Sequence, residues 1–157
     1  MASKRKFPPS RHSIPSPSNR FLEFVVVTRP IPKARPRLSR HGAYTPQRTL
    51  DYESLIQLAA QAAMASSQLP LFDEPVRVVL TLTFAGRDGT MPTAPGDGDA
   101  DNLAKSVLDA MNGTVFADDR LVVSLTVNKT CGTTDGVRVR VETFAANTDI
   151  NELFDAA

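Results

Sequence analysis

The chain has 157 residues, of which 41% are hydrophobic and 22% charged. That suits one domain with a modest core, and it excludes a bilayer-spanning helix, because no run approaches the roughly 20 apolar residues one needs. A single cysteine, Cys131, excludes an internal disulfide, and with only two histidines it argues against structural zinc; a reducing cytoplasm is the expected compartment.

The net charge of +1 hides an asymmetry. Up to Arg48 the chain carries 11 cations and one acid, Glu23, a balance of +10; the remaining 7 cations and 16 acids give −9. Such separation points to a polyanion for the basic part and a cation for some of the acids.

Residues 1 to 20 hold Pro8, Pro9, Pro15, Pro17, several serines and five cations. So little apolar surface cannot offset the entropy of ordering, which predicts a disordered basic arm. Phe21 to Thr28 (FLEFVVVT) has strand composition. Arg29 to Gln47 reads as a long basic loop, because Pro30, Pro32, Pro36 and Pro46 cannot donate to a ladder. A loop of that length in a small domain is usually functional. Thr49 or Asp51 then opens a helix reaching about Ser67, with Leu55, Leu58, Ala59 and Ala62 as its expected core stripe.

Glu74 to Ala85 reads as a strand with Val76, Val78, Leu80, Leu82 and Phe84 on one face. A Gly/Pro/Asp loop, Arg87 to Gly98, leads to a second helix from Asp101 to about Asn112, with Gly113 as its stop. Leu121 to Lys129 and Gly136 to Thr143 form two further strands, and the tail from Ala145 is expected to be loose, with one turn at Asn151 to Phe154. The order predicts an α+β (α/β) fold, a small mixed sheet packed against helices. The domain spans 21 to 144, between the arm and a tail of 145 to 157.

Three aspartates alternate in Asp97, Asp99 and Asp101, with Lys105 one helical turn further on. Crowded carboxylates raise each other's pKa and call for a hard cation, and all-oxygen ligation suits Mg²⁺ or Mn²⁺. At 100° per residue, Asp101, Lys105 and Asp109 share one helix face, while Leu103, Val107, Ala110 and Met111 share the other. Asp99 either caps this helix or points into the same site. A second pair, Asp118 and Asp119, comes after the helix, and a returning strand would bring it beside Asp99 and Asp101. An EF-hand is excluded, since its sixth and twelfth positions are Asn102 and Leu108 rather than Gly and Glu. His12 and His41 lie in basic stretches and are not assigned as ligands; Cys131 has no histidine nearby in sequence to activate it.

The run Asp99-Ala-Asp101-Asn102-Leu103-Ala-Lys105, then Leu108-Asp109-Ala110, Asn112-Gly113 and Phe116-Ala117-Asp118-Asp119, resembles the RusA family of Holliday junction resolvases. Pro32-Lys33-Ala34-Arg35-Pro36-Arg37 and Gly42-Ala43-Tyr44-Thr45-Pro46 resemble a loop of many members. The resemblance covers roughly residues 22 to 143.

It implies a homodimeric phage or bacterial endonuclease in the cytoplasm. Such an enzyme nicks four-way DNA symmetrically with Mg²⁺ or Mn²⁺ and needs no membrane or small-molecule cofactor. By position it implies Asp99, Asp101 and Asp119 as metal ligands, with Asp118 able to share or replace the last, and Lys105 as the essential lysine. Lys33, Arg35, Arg37, Arg40 and Arg48, with Arg29, are the expected phosphate contacts, so affinity should fall steeply with salt. The alternatives are a catalytically silent protein that binds branched DNA, or a nuclease preferring flaps or forks.

Overall fold

The computed structural model describes residues 20 to 144 except Pro36 and His41, and the side chains of Arg37 and Ser39 are also outside the description. The arm before Arg20, His12, His41, the tail from Ala145 and the turn expected at Asn151 to Phe154 therefore lie outside the described residues.

The elements run β1 (Phe21–Val26), β2 (Arg37–Ser39), β3 (Gly42–Tyr44), α1 (Gln47–Ser67), β4 (Val76–Ala85), α2 (Ala100–Met111), β5 (Val122–Gly132) and β6 (Gly136–Thr143). β4 explains the main sheet. Its residues Val76, Val78, Leu80, Leu82 and Phe84 all point to one face and are fully buried, while those between them are half-buried. Each such side chain contributes about 1.5–3 kcal/mol by leaving water. β6 runs antiparallel to β4 and sets Val139 beside Leu80, and β1 in turn sets Phe24 beside Val139. β5 runs parallel to β4 and sets Val127 beside Leu80.

The sheet order is β1-β6-β4-β5, with α1 and α2 packed on its apolar face. A parallel pair needs a crossover, and α2 supplies it between β4 and β5. This is the mixed α+β architecture that the pattern predicts. Among the described residues no helix is long and apolar enough to cross a membrane.

Three local expectations need correction. Helix α1 starts at Gln47 with Pro46 at its N-cap, rather than opening at Thr49 or Asp51. The basic segment is not irregular throughout. Between Pro36 and Pro46 lies a proline-free window, and it folds into the β2–β3 ribbon, with Gly42 at φ 111°. The core face of α1 also differs. Tyr52, Ile56, Ala60 and Met64 are buried, whereas Leu55 and Leu58 are 42% and 62% exposed and Ala62 faces water. No charged residue lies between Glu53 and Asp73 to mark the outer side, so two apolar stripes compete, and the one carrying Tyr52 and Ile56 fits the sheet.

Ile56→Ala should therefore cost about 2–5 kcal/mol of stability as a buried truncation, while Leu58→Ala should stay within about 0.5 kcal/mol. Urea unfolding of the two variants distinguishes these faces.

Candidate active site

The acidic motif straddles the start of α2, and the structure separates its members. Asp97 is buried at 2% exposure, whereas Asp99 and Asp101 are exposed. Gly98 causes the split. At φ 77° it adopts a conformation that L side chains rarely take, and a Cβ there would stand 3.1 Å from Pro32. The chain turns at this residue, so the alternation of the three aspartates does not put them on one side.

Asp97 is clamped. Its carboxylate pairs with Arg87, lies 3.7 Å from Arg29, and accepts the Ala94 backbone N–H at 2.9 Å. Both guanidiniums stand over the Phe84 ring, at 5.4 Å for Arg29 and 5.9 Å for Arg87. Asp135 lies 3.9 Å from Arg29 and accepts the Ala85 N–H. The Gly98 carbonyl accepts from the Lys129 ammonium at 2.7 Å.

Asp99 occupies the N-cap position of α2 but makes no side-chain cap bond. Asp101 lies in the first turn, and Lys105, 60% exposed, sits one turn on and 3.6 Å from Asp109. Leu103, Val107, Ala110 and Met111 are buried as the periodicity predicts, and Ala104 and Ser106 are buried beside them. Among the described residues neither Asp99 nor Asp101 has a side-chain hydrogen bond or ion pair. Two carboxylates without a partner among the described residues thus stand at the start of the helix that carries Lys105.

Asp118 and Asp119 lie elsewhere. Asp118 accepts the Arg120 N–H, and Asp119 opens a short turn into β5. The hydrophobic stretch before them, with Val115 and Phe116 buried, bonds to Phe72 just ahead of β4. The pair therefore belongs to the end of α2 opposite Asp99 and Asp101. The 12 residues of α2 span about 18 Å. Consistently, Lys129, which reaches Gly98, is seven positions along β5 from Val122. Among the described residues no three His, Cys, Asp or Glu side chains stand close enough to hold one metal ion. The carboxylate chemistry of Asp99 and Asp101 suits Mg²⁺, which is commonly held by one or two protein carboxylates plus water and substrate phosphate.

The basic segment starts beside this acidic pair. The Lys33 N–H bonds to the Asn102 carbonyl at 3.0 Å, tying the segment to the first turn of α2. Arg35, Arg40 and Arg48 are exposed, as is Leu38 on the ribbon; Arg37 lies in β2. Lys33 is not free for a phosphate. Its ammonium bridges Glu53 at 2.6 Å and Asp109 at 2.8 Å. Burial alone would lower its pKa, but the hydrogen bonds and charges of Asp109 and Glu53 outweigh that, and the net direction is upward. Nothing local in sequence marks this bridge, since it joins three segments.

A family model described as endodeoxyribonuclease RusA matches residues 28–142, which is 115 of the 157 residues. The chain belongs to the RusA family. As a RusA member it is an endodeoxyribonuclease, a hydrolase acting on DNA phosphodiester bonds. The matched span takes in the basic segment, the acidic motif with Lys105, and Asp118 with Asp119. None of the curated proteins compared with it matches.

Because Lys33 neutralises two partly buried carboxylates, Lys33→Met should lower stability by about 1–3 kcal/mol at neutral pH. A raised folded pKa makes this contribution complete below the unfolded lysine value of about 10.4, and it is lost as pH climbs through the folded value. Urea unfolding from pH 7 into the alkaline range above the ordinary lysine value should show the gap between wild type and variant constant at first and then narrowing as Lys33 loses its proton.

Proposed function

We propose that this RusA family nuclease resolves four-way DNA junctions by paired cuts, as a Mg²⁺- or Mn²⁺-dependent homodimer. The observation that carries the proposal is the pair of carboxylates, Asp99 and Asp101, that have no partner among the described residues, with Lys105 one turn on from Asp101 and the arginine-rich segment anchored to the same helical turn. The basic segment would hold the DNA backbone through Arg35, Arg37, Arg40 and Arg48, with Lys33 positioning the segment from inside. A divalent ion held by Asp99 and Asp101 would supply charge neutralisation at the scissile phosphate and activation of water. Lys105 then contributes a fixed positive charge beside the phosphate, where negative charge grows in the transition state.

Asp119, and Asp118 beside it, join Asp99 and Asp101 only from a second copy, because α2 keeps the two pairs apart within one chain. Paired cuts call for two centres, and a two-fold dimer would form both from the same residues. The rival reading is a family member that binds branched DNA and does not cleave it.

A four-way junction and a linear duplex, incubated with titrated Mg²⁺, decide between these readings. Wild type should cut the junction and leave the duplex; Asp101→Asn should bind the junction and not cut it. Cleavage by Asp101→Asn at the wild-type rate would remove this site, and inactivity of wild type at every Mg²⁺ concentration would favour the binder. Mixing Asp101→Asn with Asp119→Asn should restore single nicks, since one of the two shared centres is then intact; no restoration would mean that the carboxylates do not meet across copies.

A further inference from the structure

The ionic cluster around buried Asp97 lies next to the acidic pair and holds the backbone that presents Asp99 and Asp101. An ionised carboxylate as buried as Asp97 is tolerated only with close cations and donors. Here it has Arg87, Arg29 and the Ala94 N–H. The guanidiniums are themselves confined over Phe84, a core side chain with no exposure. Moving Asp97 would leave a buried charge unpaired, so its backbone stays in place.

The hold continues residue by residue. The Gly98 carbonyl is bonded by Lys129, the Asp99 carbonyl by the Leu103 N–H at 3.0 Å, and the Asn102 carbonyl by the Lys33 N–H. Gly98 lies against Pro32, on which a Cβ would press at 3.1 Å. Within this stretch, the Asp99 and Asp101 carboxylates are the acidic groups left without a protein partner among the described residues.

Resting on the nuclease reading above, we propose that Asp97, with Arg87, and Lys129 are positioning residues. They preorganise Asp99 and Asp101 for a divalent cation while never touching it. Outer partners that orient metal ligands typically govern affinity by about 10–100-fold, because a ligand pair free to swing must be ordered at the moment of binding.

The test measures Mn²⁺ affinity of the full chain, free of DNA, by electron paramagnetic resonance titration. Asp101→Asn serves as the ligand-loss control. Asp97→Asn, which keeps shape and removes charge, should weaken Mn²⁺ binding by about 10–100-fold. Lys129→Met, which breaks the bond to Gly98 without opening the buried cluster, should weaken it in the same direction, and Lys129→Arg should restore most of it. Lys129→Met is read even if Asp97→Asn fails to fold. Wild-type Mn²⁺ affinity in a folded Lys129→Met or Asp97→Asn variant overturns the positioning role and leaves the nuclease reading standing. Absence of Mn²⁺ binding in wild type, or full binding in Asp101→Asn, overturns both.

Discussion

A carboxylate buried as deeply as Asp97 stays charged only where cations and donors surround it, and that requirement organises this end of the molecule. Arg29 comes from the segment after β1, Arg87 from the end of β4, and Asp97 from the turn before α2. Their convergence over Phe84 locks three stretches of chain to the top of the central strand. The first turn of α2 and the start of the arginine-rich segment are consequences of that lock, since Gly98 packs on Pro32 and Lys33 bonds Asn102. The acidic pair and the basic segment are neighbours because one buried ionic cluster anchors both.

The same topology limits what one chain can do. A parallel β4–α2–β5 unit must send its helix back along the sheet, so residues before α2 and residues after it end up at opposite ends of the strands. Asp99 and Asp101 fall at one end, Asp118 and Asp119 at the other. Under the proposed paired-cut reading, this separation is compatible with centres shared between copies, each chain then supplying two half-sites.

Much of the fold is readable in the sequence because strands and helices here bury clean stripes. The alternation of β4 and β6 and the opposed faces of α2 come directly from period 2 and period 3.6. The outer face of α1 is not readable, since Leu55 and Leu58 look as core-like as Ile56 and Met64 when no charge marks the solvent side. The β2–β3 ribbon is too short for periodicity to register between flanking prolines. At the site, the residue types and the helix face of Asp101 and Lys105 can be read, but the divergence of Asp97 cannot. That depends on a positive φ at Gly98 and on arginines 10 and 68 positions away in sequence. Lys33 looks like a phosphate contact for the same reason: its partners Glu53 and Asp109 are brought to it only by folding. The expected meeting of Asp119 with Asp99 assumes a return path that the length of α2 does not provide within one chain.

If Asp99 and Asp101 are the protein's own cation ligands, crystals soaked in Mn²⁺ should reveal it by anomalous diffraction. The expected peak lies within about 2.0–2.3 Å of carboxylate oxygens of both residues, with any further protein ligand being Asp118 or Asp119 of a neighbouring copy. A well-occupied peak elsewhere on the chain, with Asp99 and Asp101 left bare, would contradict the assignment.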